Sequence, residues 1–483
     1  MNRNNFWIHL GIAAVLITMA AIFGQIGRWQ TVLREGRKTS VPVNVSGKRA
    51  PVTTTAPSTT TNGSPEVLVK FKPGVSLSEI RAIAAKNNDK VEDEIESVKG
   101  LVAIDDLDNA DVATLAKQYG EMSDLVVYAE PNFKIELDPE ADDVPTRYSS
   151  EDGRSPKFPN DPHFSEQWAL NNSGQNGGKA KADISAVLAW SVTKGSDDVV
   201  VAVLDSGVDY AHVDLVTNMW HRPEGMPQYT DDELGTFDDL NGFNATSNFD
   251  DPMDENGHGT HCAGVIGAEG DNDEGIAGIN WNVKIMPLKF LGRGGFGTTK
   301  DAIEAINYTI DRRKNGVNIA IISASWGSTS YSKALEDAIR AAGENGILFV
   351  AAAGNDGTDN DRRPHYPSNY KLPNVISVAA LDNTDSLTSF SNFGAKTVHI
   401  AAPGKDIQST WLNGQYREAS GTSMATPQVA GVAALILSTE PGLKVEKLRE
   451  RVLRSVDKIA ALNGKVESGG RINAAKAIGM GQL

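Results

Sequence analysis

Residues 198–209 read DVVVAVLDSGVD, and this stretch indicates the class of the fold. After Asp198, six apolar residues follow one another without the alternation of a half-exposed strand. Such a run is typical of a strand that is buried on both faces of a parallel sheet. Comparable apolar runs recur along the chain, at 282–291, 318–324, 346–353, 374–381 and 397–402. The chain is therefore predicted to contain one large, mostly parallel sheet.

Two segments between these runs have the pattern of helices. Residues 298–316 begin with threonine and end with glycine, and residues 331–346 begin beside a serine and also end with glycine. These are common start and stop signals of helices. Strands that alternate with helices predict an α/β fold, with helices on both faces of the sheet. Ligands bind such sheets beyond the carboxyl ends of the strands, so polar residues there are candidates for a functional site.

The segment SGTSMATPQVAG at 420–431 contains four hydroxyls but no base. A serine hydroxyl is a weak nucleophile until a nearby base takes its proton. Ser423 precedes an apolar helix predicted at 425–437, where free backbone N–H groups and the helix dipole favour negative charge. If Ser423 is a nucleophile, its base must therefore come from elsewhere in the chain.

Three other polar residues stand at comparable positions. Asp205 directly follows the first apolar run, and Asn355 follows the run at 346–353. His258 stands at the beginning of a predicted helix that is rich in glycine and alanine. Each of these residues alone is more often a turn or structural residue. Together with Ser423 they supply an orienting acid, a base, an oxyanion donor and a nucleophile.

The composition limits the classes of function. With 483 residues, the chain is predicted to form two or three folded units. Its formal net charge of −16 argues against nucleic-acid binding, which requires a basic surface. Cys262 is the one cysteine, so an intramolecular disulfide is excluded.

The regions outside the large sheet differ in composition. An apolar run at 6–23 predicts a signal peptide or a signal anchor within residues 1–30. Threonine, serine and proline dominate residues 31–65, which predicts a disordered linker. Residues 138–159 are acidic and rich in proline and serine, which is typical of an exposed linker open to proteolysis. The large domain is then predicted at 160–483.

Residues 66–137 have the pattern of a small α+β unit. Strands are predicted at 66–71 and 101–105, and a closing strand pair is predicted at 126–137. Helices are predicted from Ser76 or Ser78 to about Asn87, and at 110–122.

Four motifs, taken in order, resemble those of the subtilisin-like serine proteases. VAVLDSGVDYAHVDL, NGHGTHCAGVIG, AAAGNDG and SGTSMATPQVAG resemble the aspartate, histidine, oxyanion and serine motifs. The cysteine after HGTH is most similar to the thermitase and proteinase-K-like branches. The resemblance covers about residues 160–480. It implies hydrolysis of peptide bonds through an acyl-enzyme, with Asp205, His258 and Ser423 as the triad and Asn355 as an oxyanion donor.

The resemblance also implies how a substrate binds. The segments 293–297 and 325–327 resemble two strands that pair with an extended peptide, and 352–354 completes the walls of the primary specificity pocket. The implied substrate-binding residues are Gly294, Gly295, Gly297, Ser325, Trp326, Gly327, Ala353 and Gly354. The family preference is broad, for apolar or aromatic side chains.

The resemblance further implies a structural calcium site. Its side-chain ligands map to Asp161, Asp214 and Asn272, and its backbone carbonyls map to Glu269, Glu274 and Ile276. Carboxylate, amide and carbonyl oxygens are the ligands that calcium prefers. No organic cofactor is implied.

The unit at 66–137 resembles, in position and size, the inhibitory prodomains of these enzymes. It would cover the substrate strands and be removed by self-cleavage within 138–159. The implied partners are protein or peptide substrates and the chain's own prodomain. The protein is expected to be a monomer that is secreted or extracytoplasmic, with residues 6–23 as the one membrane contact if they are retained.

The sequence bears on two other hypotheses for the function. An esterase of the α/β-hydrolase type would need G-x-S-x-G and the chain order serine, acid, histidine, and both are absent. A catalytically inactive, peptide-binding pseudoprotease is the alternative, although such a protein would normally have lost one of the four catalytic positions. One departure from the family is Gln428, where a histidine is usual.

Overall fold

The computed structural model describes residues 66–139, 158–231, 234–246 and 251–480. The predicted signal or anchor segment at 6–23 and the predicted linker at 31–65 lie outside these residues. Within the part that is described, no helix has both the length and the apolar character needed to cross a membrane.

The N-terminal unit packs two helices against a four-stranded antiparallel sheet, whose strands stand in the order β2 (Asp89–Glu94), β3 (Leu101–Asp106), β1 (Glu66–Phe71) and β4 (Val126–Pro131). A capping box between Ser76 and Glu79 begins the first helix. The predicted α+β character is confirmed, and β2 is a strand that the sequence reading missed. The elements are β1 (Glu66–Phe71), α1 (Leu77–Lys86), β2 (Asp89–Glu94), β3 (Leu101–Asp106), α2 (Val112–Gly120) and β4 (Val126–Pro131).

The predicted closing strand pair at 126–137 differs from the structure. The chain forms β4 and then β5 (Lys134–Glu136), but β5 is not part of the four-stranded sheet of the N-terminal unit. It pairs antiparallel with β11 (Phe296–Thr298) of the large domain. The local sequence predicts that residues 134–136 are extended. Which strand they pair with depends on the partner that lies next to them in the folded protein.

The large domain contains the remaining elements in chain order. Its helices are α3 (Ala186–Ala189), α4 (His258–Gly267), α5 (Thr299–Lys314), α6 (Lys333–Glu344), α7 (Thr422–Thr439), α8 (Val445–Arg454) and α9 (Ala474–Ala477). Its strands are β6 (Gly195–Asp205), β7 (Tyr229–Asp231), β8 (Gly235–Phe237), β9 (Phe243–Asn244), β10 (Asn282–Lys289), β11, β12 (Ile319–Ala324), β13 (Leu348–Ala352), β14 (Val375–Leu381), β15 (Ile400–Pro403), β16 (Ile407–Trp411), β17 (Gln415–Ala419), β18 (Val456–Lys458) and β19 (Gly470–Ile472).

Nine strands form the main sheet, in the order β18-β19-β15-β14-β13-β12-β6-β10-β9. Every pair is parallel except β18 with β19. Buried side chains of α4, α7 and α8 pack on one face, and those of α5 and α6 pack on the other. Burial on both faces explains why the strands read as uninterrupted apolar runs, and the predicted α/β fold is confirmed.

Strand β6 stands where the direction of winding changes. The chain runs from β6 to β10 on one side, and it later returns to β12 on the other side. A crevice opens at such a switch point, beyond the carboxyl ends of the strands. Asp205 is the last residue of β6, so it lies at this crevice.

Candidate active site

A buried acid–histidine pair lies at the carboxyl end of β6. The Nδ1 atom of His258 is 2.8 Å from Oδ1 of Asp205, and their side chains are 5 % and 0 % exposed. The same carboxylate oxygen accepts a hydrogen bond of 2.7 Å from the N–H of Ser206. Two donors on one carboxylate oxygen fix the orientation of both side chains.

The start of α4 is built to bring His258 to this strand end. A Cβ atom at Gly259 would lie 2.1 Å from the carbonyl oxygen of Gly207, so only glycine permits this approach. Buried Asp254 accepts hydrogen bonds from the N–H groups of Gly257 and Thr260. Asp254 thus satisfies free donors at the helix start. The sequence reading missed this residue, although an acid just before a helix is a common cap.

Ser423 lies in the first turn of α7 and is nearly buried. Its hydroxyl donates to the carbonyl of Ser325 at 2.9 Å, and the Ser325 hydroxyl donates to the Ser423 carbonyl at 2.8 Å. This reciprocal pair joins the helix start to the segment that follows β12. The predicted nucleophile and a predicted substrate-binding residue are therefore in direct contact.

The side-chain amide of Asn355 has a fixed orientation. Its Oδ1 atom accepts hydrogen bonds of 2.9 Å from both the N–H and the hydroxyl of Thr422. Because the oxygen is occupied, the Nδ2 donor is directed away from Thr422, and it lies 3.5 Å from the carbonyl oxygen of Pro139. Thr422 therefore positions Asn355, a role that sequence reading did not assign.

Two neighbours of the base are buried and inert. His261 contacts the carbonyls of Ile407 and Arg417 through Nε2, and burial lowers its pKa to about 3. Burial likewise raises the pKa of the Cys262 thiol well above its usual value. Cys262 is thus a small buried side chain of α4 whose sulfur lies 3.6 Å from the carbonyl oxygen of Ser423, and it is not a second nucleophile.

The predicted substrate strands hold the tail of the prodomain. Residue Ile135 of β5 pairs with Gly297, and Glu136 pairs with Gly327 on the opposite side. Beyond β5, the N–H of Leu137 donates to the carbonyl of Gly295 at 3.0 Å. The tail is therefore bound between two strands as an added strand.

Other predicted substrate-binding residues play indirect parts. The side chain of Trp326 is fully buried, and its Nε1 donates to the carbonyl of Leu204, so it supports the cleft from below. The carbonyl of Ala353 accepts hydrogen bonds from the side chains of Asn360 and Asn392 instead of from a tail residue.

Two predicted substrate-binding glycines pack against rings. A Cβ atom at Gly294 would lie 2.9 Å from the ring of Phe296, so Gly294 fits against β11. Gly354 packs against His365, a residue that sequence reading missed.

Gln428 lies on the buried face of α7. Its Oε1 atom has no hydrogen-bond partner among the described residues, and it borders a small cavity with Trp168, Val265 and Ile407. Gln428, the residue that departs from the family pattern, therefore takes part in the packing of α7.

The N-terminal unit also caps two helices of the large domain. The Glu130 carboxylate accepts hydrogen bonds from the N–H groups of Lys333 and Ala334, at 2.9 and 3.1 Å, at the start of α6. Asn132 accepts from the N–H of Lys300, at 2.9 Å, at the start of α5. These contacts satisfy free helix donors, and the negative charge of Glu130 also suits the helix dipole.

A loop with the predicted calcium ligands closes over two buried carboxylates. Asp214 accepts from the Asn272 side chain at 3.0 Å and from the N–H of Ile276 at 2.9 Å. The N–H of Asp271 donates to Asp161 at 2.7 Å, and the other carboxylate oxygen of Asp161 has no hydrogen-bond partner. Burial raises the pKa of Asp214 to about 6 and also raises that of Asp161. Two close, desolvated carboxylates with an unsatisfied oxygen fit a bound cation.

Comparison with known proteins agrees with this arrangement. Residues 196–481 match the sequence profile of the Subtilase family, and residues 51–132 match that of the Fervidolysin N-terminal prodomain. The thermophilic serine proteinase of Bacillus sp. (strain AK1) is 33 % identical over 421 residues, which cover 86 % of this chain and 87 % of that protein. Thermitase of Thermoactinomyces vulgaris is 36 % identical over 320 residues, covering 66 % of this chain and 99 % of thermitase. A solved protease structure from Pseudoalteromonas arctica PAMC 21717 aligns with a TM-score of 0.56 and 28 % identity, over 67 % of this chain and 99 % of that one.

The predicted resemblance to the thermitase branch is confirmed by these relatives. The subtilase profile spans more than half of the chain, and the prodomain profile precedes it. The chain therefore belongs to the subtilase family and is a serine endopeptidase that carries an N-terminal prodomain.

Proposed function

We propose that this endopeptidase cleaves peptide bonds through Ser423, His258 and Asp205. The Asp205 carboxylate holds the proton on Nδ1 of His258, so that Nε2 is the nitrogen that acts as the base. The Ser423 hydroxyl must leave the Ser325 carbonyl and donate to Nε2, which requires rotation about one side-chain bond. It then attacks the peptide carbonyl to form an acyl-enzyme, and His258 returns the proton to the leaving amine.

The negative charge that develops on the peptide oxygen would be bound by two donors. One is the Nδ2 amide of Asn355, whose orientation Thr422 fixes. The other is the backbone N–H of Ser423, which lies in the first helical turn and has no partner within the helix. Loss of a single oxyanion donor typically lowers turnover by roughly 100- to 1000-fold.

The observation that carries this proposal is the buried 2.8 Å pair of His258 and Asp205 at the crevice of the sheet. A fluorophosphonate probe tests it, because such probes react with activated serine hydroxyls. The processed protein is expected to be labelled at Ser423. Ser438→Ala, at the far end of the same helix, is the control that should keep full labelling. A processed, folded protein without labelling would instead support the pseudoprotease alternative.

The prodomain is proposed to act as an intramolecular inhibitor that the enzyme itself removes. Its tail occupies the space between the two substrate-binding strands, so no other peptide binds there until the tail dissociates. We place self-cleavage within residues 138–159, with 160–483 as the mature domain. The substrates are proteins or peptides outside the cytoplasm, and the mature enzyme is expected to be a monomer.

Prodomain binding is expected to weaken as the pH rises from 5 to 8. Asp93 of the prodomain and Glu304 of α5 are buried carboxyls that interact electrostatically, and neither oxygen of Asp93 has a hydrogen-bond partner among the described residues. Burial raises the pKa of both, although the Lys300 ammonium, 3.6 Å from Asp93, favours their ionised forms. Burial also raises the pKa of Glu96, which contacts Asn307 of α5, to about 7.

The direction of this pH dependence follows from proton linkage. After dissociation these carboxyls regain water and their ordinary pKa near ~4, so the complex holds protons that the separated parts release. One such proton makes the complex about tenfold weaker for each unit of rising pH. Release of activity from the processed complex measures this slope. Glu304→Gln should flatten it, whereas Glu344→Gln, exposed on α6, should not. An unchanged slope in Glu304→Gln would contradict the assignment.

We also propose that a structural calcium ion binds between Asp161, Asp214 and Asn272, with carbonyls of Glu269, Glu274 and Ile276 completing the site. The unsatisfied oxygen of Asp161 supports this placement. The ion would neutralise the two buried carboxylates and fix the loop at 269–276 over them.

Removal of calcium is expected to lower the melting temperature of the mature enzyme. A ligand present at 100 times its dissociation constant stabilises a protein by about 2.7 kcal/mol. Asp214→Asn should lose most of this calcium-dependent stabilisation because it removes one of the two charges. Differential scanning calorimetry with calcium or with a chelator measures the effect, and Asp198→Asn, on the surface, is the matched control. Equal chelator effects in both variants would place the ion elsewhere.

A further inference from the structure

The tail of the prodomain carries an acidic residue into the pocket between the cleft walls. Asp138 follows the last residue that pairs with the cleft strands, Leu137. Its Oδ1 atom lies 3.5 Å from Nε2 of His365, and their side chains are 14 % and 3 % exposed. The carboxylate of Asp138 and the imidazole of His365 therefore face each other within ion-pair distance and are largely removed from solvent.

The ring of His365 lies between the two walls of the pocket. A Cβ atom at Gly327 would be 2.0 Å from Cε1 of the ring, and one at Gly354 would be 2.9 Å from Cδ2. Gly327 belongs to the wall that follows β12, and Gly354 belongs to the wall that follows β13. Since neither wall carries a side chain here, the imidazole occupies the space between them and forms the floor of the pocket.

The backbone around His365 is firmly held. Its carbonyl accepts hydrogen bonds of 2.8 Å from the Ser368 hydroxyl and of 2.9 Å from the N–H of Asn369. The next residue, Tyr366, exchanges two backbone hydrogen bonds of 2.7 Å with Ser328 of the cleft wall. The imidazole is thus in place before any ligand arrives, which lowers the cost of binding one.

The charges that face His365 favour its protonated form. Burial by itself lowers the pKa of the imidazole, but the carboxylates of Asp138 and Asp356 and the carbonyl of Ala352 outweigh burial, so the pKa is raised. A protonated imidazole opposite a carboxylate makes a charge-assisted hydrogen bond, which is stronger than a neutral one.

We propose that His365 determines the specificity of this protease and selects substrates with an aspartate or glutamate on the acyl side of the cleaved bond. An acidic side chain would take the position of Asp138 and pair with the imidazole. This deepens the proposed function and rests on it, since it names the substrate class of the same site. It replaces the apolar or aromatic preference that the family resemblance implies.

Four fluorogenic peptides with the sequence of the tail test this inference. They are Ile-Glu-Leu-X-aminocoumarin amides in which X is Asp, Asn, Leu or Phe, cleaved by the processed wild-type enzyme. Active sites are counted with the fluorophosphonate probe. We expect kcat/KM for Asp to exceed that for Asn by about 10- to 100-fold, since hydrogen bonds to charged groups contribute about 1.5–3 kcal/mol. Asn is the matched comparison because it keeps the shape of Asp without its charge.

The variant His365→Gln separates charge from shape. It should bring the Asp to Asn ratio close to one, while kcat/KM for the Asn peptide changes much less. His221→Gln, which replaces an exposed histidine on the surface, should keep the wild-type ratio. If His365→Gln does not fold, the four peptides with the wild-type enzyme still decide whether the pocket prefers an acidic side chain.

The outcomes separate the two proposals. An enzyme that is labelled by the probe and cleaves Leu or Phe peptides at least as well as Asp overturns the specificity of His365 but keeps the protease mechanism. An unchanged Asp to Asn ratio in His365→Gln overturns the role of this residue. An enzyme that is neither labelled nor active on any peptide overturns both proposals.

Discussion

Ser423→Ala is expected to lower kcat by about a million-fold, the size of the loss seen when a triad serine is removed in this kind of enzyme. The variant lacks the hydroxyl that attacks the peptide carbonyl. The change removes one buried oxygen, so the fold should persist. The hydrogen bond of Ser423 to the Ser325 carbonyl would be lost, but the bond from the Ser325 hydroxyl to the Ser423 carbonyl would remain. Activity on a fluorogenic peptide, normalised to protein concentration after an added and then inactivated protease has removed the prodomain, measures the loss.

The same variant should also keep its prodomain when it is produced in a host without other proteases. Its full-length mass would be read from intact-protein mass spectrometry. Ser438→Ala, in the last turns of the same helix, should mature and cleave peptides as the wild type does. Full maturation of Ser423→Ala in such a host would refute self-processing, while leaving the activity measurement to decide the role of the hydroxyl.

Asp205→Asn is expected to lower kcat by about 10,000-fold. One carboxylate oxygen of Asp205 accepts from both Nδ1 of His258 and the N–H of Ser206. An asparagine that turns its amide donor toward the ring would force the proton onto Nε2, and that nitrogen could no longer accept the serine proton. The rate of peptide hydrolysis at saturating substrate measures the effect, with the prodomain removed by an added and then inactivated protease and the enzyme concentration taken from absorbance.

The matched control for this change is Asp198→Asn, at the exposed beginning of the same strand. It should keep wild-type turnover. Similar melting temperatures of the two variants would assign the loss in Asp205→Asn to chemistry and not to unfolding. A loss of less than about tenfold in Asp205→Asn would contradict the role of this carboxylate as the partner of His258.

Local patterns predicted the main elements closely because their causes are local. The apolar run at 198–204 became the strand Gly195–Asp205, at which the winding of the sheet reverses, since burial on both faces leaves no position for a polar side chain. The segment at 298–316 became the helix Thr299–Lys314, with Thr298 and Asp301 in a capping box. Gly259 in the histidine motif is explained by the 2.1 Å approach that any Cβ atom would make.

Other features have no local signal. The segment Lys134–Glu136 has the pattern of a strand, but its partner is an edge more than 150 residues away in the chain. Trp326 was assigned to substrate binding, yet its ring is buried under the cleft. Asp93 and Glu304 are buried carboxyls that interact although they lie in two different units, and no pattern in the sequence links them.

The sequence by itself determined the fold class, the position of Asp205 at the end of a buried strand, and that of Ser423 at the start of a helix. Hydrophobic periodicity and helix capping depend on neighbouring residues, so a single chain displays them. Only the tertiary structure decided that His365 faces Asp138 between two glycine walls. Contacts between residues so distant in the chain arise when the sheet and its loops assemble, because packing, and not the adjacent sequence, brings them within reach.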